Sequence, residues 1–264
     1  MEPTITPTPT PAAPQTPAMV PAKQNTWAVP AAIVIAAIIM GGSYYLTGGK
    51  ALPQGAATVP AATDQTATKI RPVDKTDHIR GNPNAPILLV EYSDYDCPFC
   101  KNFDDTMLQV MKDYGTNGKV AWVYRQLPLV QLHPNAPKIS EASECVASIG
   151  GNDAFWKFTD RVYAEKTNQT FTNIARISEY AVGAGVDKVK FEDCYNNAKM
   201  KDKVAASVSE ALAAGARGTP HTFVIVGDQK TTIDGAQPYP VVKQLLDSIL
   251  AQLDGTAAPK PAAK

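Results

Sequence analysis

The stretch that most constrains the fold is residues 91–100, where an acidic and aromatic run ends in Cys97-Pro98-Phe99-Cys100. Residues 87–90, just before it, form an unbroken apolar run, which is typical of a strand buried on both faces. Pro98 fits the first turn of a helix, and apolar residues then recur at helical spacing at Phe103, Met107, Val110 and Met111. Cys97 is therefore predicted at a helix N-terminus, where backbone N–H groups and the helix dipole favour the reactive thiolate.

A Cys-x-x-Cys pair has two common uses, a redox dithiol or half of a zinc site. A zinc site needs a second pair of ligands at matching spacing, whereas the remaining cysteines and histidines are scattered singly, at His78, His133, Cys145, Cys194 and His221. The strand-to-helix placement also favours redox chemistry. We therefore predict a redox-active Cys97–Cys100 disulfide, and no metal site or other cofactor.

These residues resemble the active site of the DsbA-like thiol–disulfide oxidoreductases, which have a thioredoxin fold. Glu91 lies six residues before the first cysteine, where this family places a buried carboxylate. Gly218-Thr219-Pro220 resembles the cis-proline loop of the family and leads into an apolar strand at residues 223–226. The resemblance covers about residues 77–253.

The resemblance implies an α/β, thioredoxin-like fold with a helical insertion between an N-terminal βαβ unit and a C-terminal ββα unit. The residue patterns agree, with a strand at 120–124, a helical region at about 127–214, a hairpin around Gly227-Asp228 and a closing helix at 241–253. Within the insertion, apolar spacing predicts helices at 140–149, 154–164, 174–182, 189–198 and 204–213.

The N-terminal part divides by composition into three segments before the domain at 77–254. Residues 1–26 are rich in Pro and Thr and predict a disordered tail, and residues 47–76 predict a flexible linker. Residues 27–46 are almost wholly apolar and about 30 Å long as a helix, which favours a single transmembrane anchor. A cleaved signal peptide or a core helix are the alternatives. Residues 255–264 predict a second disordered tail.

The 25 basic and 25 acidic residues balance, and no basic stripe indicates nucleic-acid binding. The lysines and arginines around the predicted anchor do not fix its orientation. A DsbA-like dithiol is useful in an oxidising compartment, so the catalytic domain is expected outside the cytoplasm, periplasmic or extracellular.

Cys145 and Cys194 both fall in the predicted insertion. They could be two buried free thiols, a redox relay to the first pair, or a structural disulfide. Some DsbA-like proteins resemble this chain in carrying a second bridge in the helical region, and the expected compartment also favours the disulfide.

The resemblance also implies roles for individual residues. Glu91 is expected to have a raised pKa and to exchange the proton of Cys100, unless it reaches solvent at the strand end. Pro220, if its peptide bond is cis, is expected to expose neighbouring backbone groups. Thr219 would then form backbone hydrogen bonds with an extended substrate.

Residues beside the dithiol are expected to tune its redox potential. The dipeptide Pro98-Phe99 lacks the imidazole of the Pro-His enzymes, so we predict a weaker oxidant. Asp94 and Asp96 could raise the cost of the thiolate, although helix capping is the preferred interpretation. His221 could supply positive charge, although an ordinary residue at a strand edge is the preferred interpretation.

The predicted activity is donation of disulfides to proteins with cysteine thiols, followed by reoxidation by a membrane redox partner such as a quinone-linked oxidase. A disulfide reductase or isomerase of the same fold remains an alternative, as does a membrane-tethered peptide-binding chaperone module. Because both cysteines, Glu91 and the Thr219-Pro220 loop occur together, the enzyme is favoured.

Overall fold

A computed structural model describes residues 70–166 and 170–255. The predicted N-terminal tail, the predicted anchor at 27–46 and residues 47–69 of the predicted linker lie outside the described residues, as does the C-terminal tail from residue 256. In the described ranges, no helix combines the length and the apolar character needed to cross a membrane.

The strands form one mixed sheet in the order β1-β3-β2-β4-β5, in which β2 and β3 are parallel and the other pairs are antiparallel. The bounds are β1 His78–Gly81, β2 Ile87–Ser93, β3 Val120–Gln126, β4 His221–Val226 and β5 Gln229–Asp234. Gly227 has φ 56° at the β4–β5 turn, as a two-residue hairpin requires. Four of these strands were predicted; β1 was not, because its four residues carry no alternating apolar pattern.

Helix α1, Pro98–Val110, follows β2 directly and continues as a π-helical turn at Met111–Gly115. The insertion lies between β3 and β4, and a closing helix follows β5, which confirms the predicted fold class. The insertion comprises α2 Ala136–Glu165, a 3-10 turn Ile174–Arg176, α3 Ile177–Gly183, α4 Lys188–Asn196 and α5 Lys201–Ala213, and the closing helix is α6 Tyr239–Leu253. Gly151 interrupts α2 with φ 76°, so its two halves correspond to the two predicted helices.

Side-chain alternation gives the sheet two buried faces. One face, with Leu89 and Trp122, packs in the larger core against α1, α2 and α6, including Phe103, Phe158 and Leu246. The other face packs against the end of α5; its buried residues include Val90, Tyr92, Val123, Ala211 and Phe223. Cys97 and Cys100, at the start of α1, are part of the larger core, so packing in this core fixes the position of the dithiol.

Residues 70 and 71 belong to the predicted linker at 47–76, yet they contact the domain that was predicted to begin at residue 77. Ile70 is buried in the smaller core, and Arg71 pairs with Asp77 and Glu210 at 2.6 and 3.0 Å. The two ion pairs join Arg71 to the residue just before β1 and to α5. The sequence offered only a Pro- and Thr-containing stretch, which carries no sign of such long-range pairing.

Candidate active site

The dithiol lies at the C-terminal end of β2, where the chain turns into α1. Cys97 is the N-cap residue of α1, with extended φ/ψ, and Pro98 is the first helical residue. No side chain caps this helix end. The N–H groups of Phe99 and Cys100 therefore remain available to the Cys97 sulfur.

The loop that contains Thr219 and Pro220 lies against Cys97. Cys97 is 4% exposed, and its thiol donates a hydrogen bond to the Thr219 carbonyl at 3.4 Å. The Thr219–Pro220 peptide bond is cis. Cys100 is fully buried, and the Asp94 N–H donates to its sulfur at 3.4 Å. Of the two cysteines, only Cys97 therefore retains any solvent exposure.

The two cysteines are electrostatically unequal. A hydrogen bond from the Cys100 thiol and the helix N–H groups outweigh burial and lower the pKa of Cys97 to about 6. Burial, together with the Cys97 charge, raises the pKa of Cys100 well above its ordinary value. Near neutral pH the pair therefore holds one thiolate, on Cys97, and one thiol, on Cys100.

Glu91 lies in β2 under the dithiol and is 1% exposed, so the alternative in which it reaches solvent is wrong. Trp122 Nε1 on β3 donates to its Oε2 at 2.8 Å. Burial raises the pKa of Glu91 to about 7, and the nearby Cys97 charge acts in the same direction. Glu91 can therefore take or give a proton near neutral pH; its role in catalysis stays a prediction.

Asp104 is a second buried acid, one turn after Cys100 on α1, and sequence reasoning missed it. It is 4% exposed, and its Oδ1 has no hydrogen-bond partner among the described residues. Burial, and next the charge of Glu91, raise its pKa to about 8. The available signal was a charged residue on the apolar stripe of Phe103 and Met107.

The capping interpretation of Asp94 and Asp96 is wrong. The Asp94 carboxylate accepts from Asp96 N at 2.8 Å and from Leu129 N at 2.7 Å, and it pairs with His133 Nδ1 at 2.8 Å. Asp96 Oδ1 accepts from Thr172 N at 2.8 Å. Both carboxylates tie the loop before Cys97 to the insertion, because tertiary donors compete successfully with the helix end.

The remaining predicted residues are His221, the second cysteine pair and Phe99. His221 begins β4, where its Nδ1 pairs with Asp234 at 2.8 Å and its ring edge contacts Phe223. A disulfide joins Cys145 of α2 to Cys194 of α4. It ties two helices of the insertion together, whereas Cys97 and Cys100 are free thiols. Phe99 is 61% exposed and stands beside Cys97 at the surface.

A family model described as Thioredoxin matches residues 73–248. This match covers more than half of the chain, and the chain belongs to that thioredoxin family.

Among solved structures, oxidised BdbD from Bacillus subtilis is similar with a TM-score of 0.59 and 20% identity, covering 67% of this chain and 95% of that one. The thiol-disulfide exchange protein alpha-DsbA2 from Wolbachia pipientis has a TM-score of 0.54 and 23% identity, covering 67% and 88% of the two chains. The fold is therefore thioredoxin-like with DsbA-like structural neighbours.

The chain is also similar in sequence to part of proteins that are named as sodium/proton antiporters. The Na(+)/H(+) antiporter NhaA 1 of Mycolicibacterium gilvum is 33% identical over 158 residues, which are 59% of this chain and 24% of the antiporter. The chain spans about a quarter of the length of the curated relatives of this kind that it matches.

Proposed function

We propose that this chain is a thiol–disulfide oxidoreductase that donates its Cys97–Cys100 disulfide to cysteine-containing proteins outside the cytoplasm. The observation that carries the proposal is the inequality of the two sulfurs. Cys97 lies at a helix N-terminus with its pKa lowered to about 6, and Cys100 is buried with its pKa raised. Such an arrangement suits Cys97 as the nucleophile and leaving group and Cys100 as the protected resolving thiol.

The reaction proceeds by two exchanges. A substrate thiolate attacks the Cys97 sulfur, the Cys97–Cys100 bond breaks, and the Cys100 thiolate leaves and takes a proton. A second substrate thiolate then attacks the substrate sulfur of the mixed disulfide, forming the substrate disulfide and releasing the Cys97 thiolate. Two electrons pass from the substrate dithiol to the protein disulfide.

Glu91 is the proposed source of the proton for Cys100. Its carboxyl group is buried next to the dithiol, with a pKa of about 7, so both of its protonation states are populated near neutral pH. In the reverse direction the same carboxylate accepts the proton when Cys100 attacks a mixed disulfide.

Thr219 and Pro220 are the proposed substrate-binding elements. The Thr219 carbonyl lies 3.4 Å from the Cys97 sulfur, within reach of a chain bonded to that sulfur. Backbone groups at this position can pair with an extended substrate on either side of its cysteine, largely independent of sequence.

The low pKa of Cys97 supports the oxidising direction, because a stabilised thiolate favours the reduced state of the protein. Phe99 provides no imidazole, so the chain is proposed to be a weaker oxidant than the Pro-His enzymes. Reduction or isomerisation by the same dithiol is the second candidate.

An oxidising compartment is supported by the Cys145–Cys194 disulfide, since such bonds persist mainly outside the cytoplasm. The anchor proposed at residues 27–46 would hold the domain at the outer face of a cell membrane. There a membrane redox partner, such as a quinone-linked oxidase, would withdraw the two electrons.

The test is oxidative folding of a reduced client protein by the purified full chain. The oxidised wild type should accelerate disulfide formation, and Cys97→Ser should lose all of this activity. Cys100→Ser, given the client in its disulfide form, should instead accumulate a mixed disulfide: the Cys97 thiolate attacks the client disulfide, one client thiolate leaves, and no second thiol of the protein releases Cys97, so the adduct is visible on non-reducing gels. A Cys97→Ser variant that still assists folding as well as wild type would favour the peptide-binding module and overturn the enzyme.

A further inference from the structure

Lys166 is a buried cation next to the active site that the proposed chemistry does not yet use. It is the C-cap residue of α2, and its side chain is 3% exposed. A buried ammonium group is costly unless hydrogen bonds and opposite charges compensate it. The groups around the Lys166 ammonium therefore show which interactions compensate its burial.

The contacts of Lys166 converge on the two residues before Cys97. Its Nζ donates to the Tyr95 carbonyl at 2.5 Å and lies 3.7 Å from Asp96 Oδ1. The Asp94 carbonyl in turn accepts from the Cys97 N–H at 3.1 Å. The ammonium group thus fastens the short turn that delivers Cys97 from β2 to the start of α1.

The same position has an electrostatic consequence. Burial lowers the pKa of Lys166, while the charges of Asp96 and Asp94 and of the two active-site sulfurs act to raise it. The interaction with the sulfurs exists only when a thiolate is present. Reduction of the disulfide creates a negative charge on Cys97, so a fixed buried cation favours the reduced state over the disulfide.

We propose that Lys166 is a positioning residue for the dithiol: its buried ammonium group holds the turn before Cys97 and supplies positive charge that makes the disulfide more oxidising. The inference rests on the proposed function and assigns to Lys166 the positive charge that His221, paired with Asp234, was considered to supply. Lys166 acts by holding the turn before Cys97 and through the electric field of its ammonium group, without contacting substrate.

Other titratable groups face the same turn or the dithiol. They are Asp94 with its partner His133, Asp96, Glu91, Asp104 and the Cys100 thiol. Asp96 is the useful one, because it is close to Lys166 and of opposite charge.

The experiment compares four full-length chains: wild type, Lys166→Met, Asp96→Asn and Lys157→Met. Methionine keeps an unbranched side chain in place of the lysine stem, and Lys157 is an exposed lysine on the same helix, the matched control. Two quantities are measured, the pKa of the Cys97 thiolate by its ultraviolet absorbance and the equilibrium constant with glutathione by alkylation.

Lys166→Met should raise the pKa of Cys97 by about one unit and make the disulfide about tenfold less oxidising, a shift of about 30 mV. Asp96→Asn should shift both quantities in the opposite direction, and Lys157→Met should leave them unchanged. Opposite shifts exclude a purely mechanical role, since loosening the same turn would act in one direction for both variants.

Unchanged values in Lys166→Met, or shifts of the same sign in Lys166→Met and Asp96→Asn, would overturn the inference. If Lys166→Met does not fold, the direction of the Asp96→Asn shift decides alone: a lower pKa of Cys97 supports the inference, and an equal or higher one overturns it. A wild type that fails to exchange with glutathione would instead contradict the proposed function itself.

Discussion

Asp104 provides a prediction about stability that follows from its burial. A carboxyl group whose pKa is raised to about 8 keeps its proton in the folded protein at neutral pH, whereas in the unfolded chain it loses the proton near its ordinary value of 3.8. The folded state therefore binds more protons between these two values. Its stability falls as the pH rises through this window and levels off above about pH 8.

The magnitude follows from the two pKa values. Between the two pKa values, each pH unit lowers the free energy of unfolding by about 1.4 kcal/mol. At about pH 7 the burial of Asp104 therefore lowers it by at most about 4 kcal/mol. About 3 kcal/mol of this loss arises between about pH 5 and about pH 7. Asp104→Asn removes the titration and keeps the shape of the side chain. We therefore expect the free energy of unfolding of the variant to exceed that of wild type by an amount that increases as the pH rises.

The assay is urea unfolding of wild type, Asp104→Asn and Asp105→Asn across this pH range. Asp105 neighbours Asp104 on α1, but its side chain is 58% exposed and pairs with Lys101, so its variant should follow the wild-type pH dependence. A difference between Asp104→Asn and wild type that stays constant with pH would contradict the proposed coupling between protonation of Asp104 and folding.

Three further predictions concern the dithiol and the insertion. Glu91→Gln should slow resolution of a Cys97 mixed disulfide by Cys100 at least about tenfold and remove the rise of the rate near about pH 7 in stopped-flow measurements; an unaltered pH profile would contradict the proton role. Replacing Cys145 and Cys194, which are 49 residues apart, by alanine should lower the free energy of unfolding by about 4 kcal/mol in urea, on the chain-entropy account. Phe99→His should make the disulfide at least about tenfold more oxidising against glutathione, and no change would show that the dipeptide does not set the potential.

The features that sequence predicts well here are local. The strand, the dithiol and Pro98 are consecutive in the chain, so the junction of β2 and α1 could be predicted from spacing alone. The helices of the insertion likewise carry their own apolar periodicity. Local patterns are sufficient where the residues that determine an element are also its neighbours in sequence.

The missed features depend on distant partners. Asp94 and Asp96 read as helix caps, but donors from Leu129 and Thr172 bind them. The burial of Lys166 depends on a loop some seventy residues earlier in the chain. Neither contact leaves a periodic trace, because each is made by a single polar side chain whose partner is set by the tertiary fold.

The most direct test of the account is the redox equilibrium of the full chain against glutathione, with alkylation of Cys97 as the readout. We expect reversible exchange with a potential less negative than about −180 mV and more negative than that of DsbA, which is about −120 mV. A potential near about −270 mV would identify a reductase and contradict the proposed direction. No exchange at all would contradict the assignment of Cys97 and Cys100 as a redox-active pair.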